Sequence, residues 1–245
     1  MGSEMCIRDS FSTVYSPSIW TLTRSQQFKK LLTPGKIGQI LCLGNLTSPS
    51  VYTFLRNLAP DLQLVKGDFD ISLSTPAPPN PNAAYAAPTD QIPVPTALSK
   101  VVTHGGLRIG FTHGHTIVPP GDPDSLLIAA RQMDVDVLCW GGTCKFEAYE
   151  MEGKFFVNPG SVTGAVSWSP DAELDSEGEA VSTPSFVLMD VSRHASWANL
   201  VDLSDHPEQV QGDVLVLYVY QLRKDQNGVE NVAVEKVSYR KNASS

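Results

Sequence analysis

Four short glycine-marked segments carry most of the polar chemistry of this 245-residue chain: LGNL (43–46), KGDFD (66–70), FTHGH (111–115) and WGGTC (140–144). Each follows an apolar run of strand type and sets a polar side chain just past it, namely Asn45, Asp68, His113 and Cys144. In open α/β sheets, ligands bind outside the carboxyl ends of the strands. CWGGTC (139–144) has the build of a metal-ligand turn, running from an apolar strand end through two glycines to a Thr and a Cys. The positions where histidines would serve there hold Gly142 and Cys144. Any one segment alone reads as an ordinary turn. The four in this order read as a site, active or relict.

The elements that must position these residues are visible in the periodicity. Phe28, Leu31 and Leu32 form a helical stripe ended by Pro34 and Gly35. IGQILCLGN (37–45) is a continuous apolar run of buried-strand type. Ser48 and Pro49 suit the cap and first turn of a helix bearing Val51, Tyr52, Leu55 and Leu58. LQLVKGD (62–68) is the next strand and completes a βαβ unit. KVVTH and LRIGFTHG flank Gly105 and Gly106, which predicts a hairpin. A helix over 124–133 aligns Leu126, Leu127, Ala130 and Met133, and Asp122 and Asp124 ahead of it read as capping residues, not catalytic carboxylates. DVDVLCWGG (134–142) is a further buried strand, followed by strands at 145–150, 154–158, 185–192, 213–222 and 232–240. VNPGS (157–161) has no helix after it, so it reads as a structural turn and not a phosphate cradle. A βαβ half followed by a strand-rich half predicts an α/β sandwich of two mixed sheets with helices outside.

Residues 1–20, beginning MGSEMCIRDS, show no apolar alternation and are expected to be unassigned, disordered or foreign, with a single domain over 21–245. Inserted loops are expected at 71–99, 167–183 and 193–212. The net charge of −8 and the absence of a large basic cluster argue against a nucleic-acid partner. No apolar run reaches the ~18 residues of a membrane span, so membrane contact is expected only through partners. The start lacks the basic-then-apolar pattern of a secretory signal. Four cysteines (Cys6, Cys42, Cys139, Cys144) show no paired spacing, and Cys42 and Cys139 in apolar strands read as reduced core residues.

The order of the four segments resembles the metallophosphoesterase family, whose pattern runs DxH, GD, GNH with an acid, His, then GHxH. A closer resemblance is to the small retromer subunits of that fold. FKKLLTPGKI, GNL, GDFD, THGH, FEAYEMEGKFFVNPGSVTGA, PSFVLMD and YVYQL carry it, over residues 28–70 and 100–241 apart from the insertions. The resemblance implies a metallophosphoesterase-like sandwich, and the departures from the family pattern bear on function. The family's bridging Asp corresponds to Asn45, its catalytic His to Phe69, and its GHxH ligands to Gly142 and Cys144. The DxH strand is unrecognisable. A two-metal phosphoesterase holds its dications about 4 Å apart around a bridging anion. A neutral amide at Asn45 cannot serve, and Phe69 cannot transfer a proton. The relict metal positions are therefore Asn45, Asp68, His113 and Cys144, with no cofactor expected. Weak zinc or manganese binding by Asp68, His113 and Cys144 is the remaining metal reading. His115 is expected to point away or to pack in the turn, and His104, His194 and His206 carry no signal.

The resemblance also implies two binding surfaces. Ile117 and Val118, in HTIVPPGD (115–122), fall where that family meets a large α-solenoid subunit of retromer. Leu31, Leu32, Leu188, Tyr218, Tyr220 and Val234 fall where it takes short motifs from regulators of the Rab GTPase-activating type. Val118 folded back over the sheet edge, or the second set as covered core, are the structural alternatives. The implied role is a non-catalytic scaffold in endosome-to-Golgi retrograde transport and cargo recycling, cytoplasmic and peripheral on endosomal membranes. A residual metal-dependent phosphoesterase is the alternative.

Overall fold

The computed structural model describes residues 3–7, 28, 30–32, 34–46, 49–70, 95–165, 183–194, 212–224 and 230–241. The loops expected at 71–99, 167–183 and 193–212 lie almost wholly outside these residues, as do 8–20 and His206.

Among the described residues, eleven strands and two longer helices follow in chain order. They are β1 (Ser3–Ile7), β2 (Ile37–Cys42), α1 (Pro49–Leu58), β3 (Asp61–Leu64), β4 (Ser99–His104), β5 (Leu107–Thr112), α2 (Pro123–Gln132), β6 (Val137–Cys139), β7 (Phe146–Met151), β8 (Lys154–Pro159), β9 (Ser185–His194), β10 (Gly212–Lys224) and β11 (Glu230–Arg240). They build two sheets, ordered β11-β10-β9-β1-β2-β3 and β4-β5-β6-β8-β7. Strands β1, β2 and β3 run parallel, as do β5, β6 and β8; antiparallel strands complete both sheets. The expected sandwich of two mixed sheets flanked by helices is the observed architecture.

Alternation along the strands divides the apolar residues between layers, because successive side chains leave a strand on opposite faces. Val187 and Met189 of β9, with Leu215, Leu217 and Val219 of β10, point between the sheets, where they join Ile109, Phe111, Val137, Phe155 and Val157. Phe186 of β9 and Leu222 of β10 point outward, joining Ile40, Cys42, Leu55, Leu58, Phe28 and Leu32 under α1. Cys42 and Cys139 are both core residues, as their strands predict. On the far side α2 lays Leu126, Leu127 and Ala130 on Leu138, Trp140 and Phe156. That helix starts where its sequence says it should. Asp122 is its N-cap and accepts a bond from Ser125 N at 2.8 Å, with proline at the helix start.

One expectation is revised. Residues 3–7 are not disordered but form a strand, in the middle of the larger sheet between β2 and β9. Glu4, Met5 and Cys6 pair with Gln39, Ile40 and Leu41 on one side and with Met189, Leu188 and Val187 on the other. Without them, β2 and β9 would each present an unpaired row of backbone N–H and C=O groups inside the sheet. Backbone pairing supplies this strand's place, so a weak side-chain pattern does not prevent it.

Candidate functional site

The parallel strands β2, β3, β5 and β6 all end toward one edge of the sandwich, and the four glycine-marked loops meet there. At their junction is Asn45, fully buried and left-handed (φ 58°). Asparagine tolerates that conformation better than most side chains do. Its Oδ1 accepts from Phe69 N at 2.9 Å. Its Nδ2 donates to Asp68 Oδ1 at 2.8 Å and lies 3.0 Å from Nε2 of the buried His113. Its backbone N donates to Asp70 Oδ2 at 2.9 Å, and the same oxygen takes Gly67 N at 2.8 Å. Glycine is required where the loops touch: a Cβ at Gly44 would lie 2.5 Å from Gly67 N, and one at Gly67 would overlap Asn45 Oδ1.

The bond from Phe69 N fixes the amide's orientation, which in turn fixes the histidine tautomer. Facing an N–H donor, His113 Nε2 must accept. Its Nδ1 then carries the proton and can donate to His115 Nδ1, 3.1 Å away. Asp68 Oδ1 lies 3.4 Å from His113 Nε2. Burial works to raise the Asp68 carboxyl, but the bond from Asn45 works against it, and the carboxyl is held below the ordinary aspartate value.

Of the four relict positions, three therefore meet: Asn45, Asp68 and His113. Cys144 is buried and left-handed (φ 57°) on the neighbouring loop. Among the described residues, no three His, Cys, Asp or Glu donors converge on one point. Among the described residues, the donors present do not make up the set for the metal pair that the fold family implies. Lone pairs of Asp68 and His113 face amide hydrogens, and Gly142 offers no side chain to a ligand set. Phe69 is 47% exposed at the rim, an apolar ring where proton transfer would be needed. Two participants escape sequence reading. Asp70 binds two backbone N–H groups; the second carboxylate in KGDFD is its only sequence trace. His115, expected to point away or to pack in the turn, lies against His113, with ring centroids 5.0 Å apart.

The two surfaces are also partly redrawn. Val118 is 76% exposed, so it does not fold back over the edge. Ile117, expected beside it, instead packs against the Trp140 cluster under α2, because adjacent residues in this turn point opposite ways. On the other side, Leu31 is 45% exposed, whereas Leu32 is core. Leu32 N donates to Phe28 O at 3.1 Å, which puts Phe28 and Leu32 on the inward side of one helical turn and Leu31 outside it. Leu188 and Tyr220 are partly buried at the rim of the α1 cluster. Tyr218 opposes Leu188 across β9 and Lys236 across β11, while Tyr220 opposes Phe186 and Val234. Tyr220 stacks on Phe186 at 4.7 Å, and Val234 is 57% exposed. Leu31, Leu188, Tyr218, Tyr220 and Val234 are thus open or half-open, and Leu32 leaves the set. VNPGS is not the turn expected: Val157–Pro159 end β8 and only Gly160 and Ser161 lie beyond it, with Asn158 Nδ2 donating to Thr143 Oγ1 at 2.9 Å and Ser185 Oγ donating to Pro159 O at 2.7 Å.

Residues 21–192 match the calcineurin-like phosphoesterase superfamily domain. Vacuolar protein sorting-associated protein 29 of Schizosaccharomyces pombe is 43% identical over 217 residues, 89% of each chain. The crystal structure of Chaetomium thermophilum Vps29 has a TM-score of 0.68 at 41% identity, covering 98% of this chain and 97% of that one. The same protein complexed with a RaPID-derived cyclic peptide gives 0.67 at 41%, covering 99% and 98%. Vps29 of Entamoeba histolytica, solved with zinc, gives 0.66 at 30%, covering 96% and 98%. With that identity spread along nearly the whole chain and the superfamily domain beneath it, the chain belongs to the vacuolar protein sorting-associated protein 29 family, within the calcineurin-like phosphoesterase superfamily.

Proposed function

We propose that the chain is a non-catalytic scaffold subunit of retromer, acting in endosome-to-Golgi retrograde transport and cargo recycling. The observation that carries this reading is Val118, 76% exposed at the rim of an edge whose polar groups are already satisfied by one another. An apolar side chain held out beside a filled site is suited to anchoring a partner, not to turning over a substrate. The solenoid subunit of retromer is the partner assigned to it. Leu31, Leu188, Tyr218, Tyr220 and Val234 form a second apolar surface, assigned to short motifs of Rab GTPase-activating-type regulators. No helix among the described residues is long and apolar enough to cross a membrane. Its place on endosomes is therefore assigned through the complex, from the cytoplasmic side.

The test is a two-by-two comparison by calorimetry. Val118→Asp places a charge in the solenoid contact and should cost about 2 kcal/mol or more, roughly thirtyfold in affinity, while sparing regulator motifs. Leu188→Asp should do the reverse. Equal loss of both partners in either variant would refute the two-surface reading. Hydrolysis of an aryl phosphate with added manganese or zinc tests the absence of catalysis. A metal-dependent rate above the buffer blank, abolished by Asp68→Ala, would overturn it.

A further inference from the structure

We propose that the indole of Trp140 is the floor on which the turn carrying Val118 is seated, which makes Trp140 a positioning residue for partner binding. The proposal rests on the reading of Val118 as the anchor for the solenoid subunit, and its test separates the two.

Trp140 follows β6 directly and is fully buried, and its backbone N donates to Val157 O at 2.9 Å. The ring is therefore carried by the sheet and not by the loops. It supports residues 117–122 at two points. Ile117 packs into the cluster that Trp140 forms with Leu126, Leu127, Leu138 and Phe156. Gly121 lies on the six-membered ring itself: a Cβ there would stand 3.4 Å from Trp140 Cη2, 3.6 Å from Cζ3 and 3.2 Å from the Thr143 methyl. Thr143 is held in its turn by Asn158 Nδ2, which donates to its Oγ1 at 2.9 Å. Gly121 is left-handed (φ 75°), so the turn and the close approach both call for glycine. Between the two seats the chain is closed by hydrogen bonds. Asp122 N donates to Pro119 O at 3.3 Å, and Ser125 Oγ of α2 donates to Val118 O at 3.1 Å. With Ile117 turned in, Gly121 on the ring and the Val118 carbonyl taken by α2, the Val118 side chain stands at the crest, 76% exposed.

The choice of tryptophan is a second argument. Nε1 of Trp140 is buried and has no hydrogen-bond partner among the described residues. A buried N–H left unpaired is unfavourable, so phenylalanine would fill a merely apolar position at less cost. What the indole adds is reach, because the far edge of its second ring is the part that meets Gly121.

The informative variant is Trp140→Phe, which removes both the unpaired donor and the edge under Gly121. Affinity for the purified solenoid subunit of retromer is measured by calorimetry for wild type, Trp140→Phe, Val118→Ala and the double variant. Amide hydrogen exchange is followed at Ile117 and Asp122. Val118→Ala should weaken binding about tenfold and Trp140→Phe about fivefold. The double variant should bind no worse than Val118→Ala alone, because the seat then has no anchor to position. In Trp140→Phe, exchange at Ile117 and Asp122 should quicken about tenfold while the amides of β5 and β8 keep wild-type rates.

If Trp140→Phe binds as wild type while Val118→Ala is weakened, the seat is refuted and the anchor stands. A loss from Trp140→Phe that is undiminished in the Val118→Ala background refutes the seat too, since the ring then acts other than through Val118. Wild-type affinity in Val118→Ala refutes the anchor itself. If Trp140→Phe fails to fold, Gly121→Ala decides: its methyl wedges the turn off the ring from the other side, and binding as tight as wild type would overturn the proposal.

Discussion

The loop edge and the tyrosine face lie on the same sandwich and are built in opposite ways. At the edge, three loops from two sheets are joined by directional bonds among Asn45, Asp68, Asp70 and His113, and the loops touch through glycine backbones. On the face, Tyr218, Tyr220, Leu188 and Val234 stand side by side because strand register puts them there. Hydrogen bonds between loops demand position to a few tenths of an ångström, and a buried partner left unpaired costs about 1–3 kcal/mol. Apolar contacts on a sheet surface fall off gradually with area. The edge should therefore be brittle and the face tolerant, though both are proposed to bind partners.

The largest break should come from Gly44→Ala. Its new Cβ would meet Gly67 backbone at 2.5 Å, and its φ of 98° is outside what alanine adopts readily. Neither atom is the end of a flexible side chain, so a loop must shift. We expect a loss of about 3 kcal/mol or more in urea denaturation. A loss under about 1 kcal/mol would mean that the edge is not close-packed.

Tyr220→Ala is the matching truncation on the face. Tyr220 stacks on Phe186 at 4.7 Å with near-parallel rings, but it is only partly buried. A half-covered aromatic loses part of its transfer free energy and its stacking, about 2 kcal/mol together. A cost above that of Gly44→Ala would reverse the contrast between edge and face.

How much of this is legible in the sequence follows from the same division. Strands such as Ile37–Cys42 and the cap at Asp122 are local patterns, and they fold as their residues predict. Leu31 with Leu32, and Ile117 with Val118, are neighbours of similar hydrophobicity. Only the helical turn and the loop geometry decide which member turns outward, and composition does not carry that. Asp70 and His115 are invisible to sequence reading because their bonds run between side chains and loops with no period of their own. Strand β1 escapes it because its place comes from backbone pairing on both sides, which leaves little mark in five residues. The residues that depart from the superfamily's pattern, Asn45, Phe69 and Gly142, are all readable as residue types. What they do instead is not.

A smaller effect separates the face from the core directly beneath it. On β11, Tyr239 points inward, stacks on Phe155 and donates to Gly153 O at 2.8 Å. Burial, then the charges of Asp136 and Glu150, push its phenol up to about 12. An unfolded tyrosine ionises near pH ~10. Its stabilisation is therefore present below about pH 10 and is lost as pH rises toward about 12. Tyr239→Phe should cost about 1 kcal/mol at neutral pH, for the lost hydrogen bond, and should flatten the alkaline limb of stability. Tyr149, also raised to about 12 by burial, should keep part of that limb. An alkaline limb unchanged in Tyr239→Phe would show that the phenol is not held neutral by the fold.

The smallest effects should fall on the two exposed valines, where edge and face are compared without their supports. Val118 is 76% and Val234 57% exposed. Neither has much apolar contact to lose, so Val118→Asp and Val234→Ala should each change folding stability by no more than about 0.5 kcal/mol. Val118→Asp is the more demanding case, since Asp122 and Asp124 lie just along the chain, yet an exposed charge is well screened by water and salt. Circular dichroism melts of the isolated protein read this directly. If Val118→Asp lowered stability by about 2 kcal/mol, the side chain would be seated against the molecule's own surface. The edge would then keep its apolar groups to itself, and only the tyrosine face would have an anchor to offer a partner.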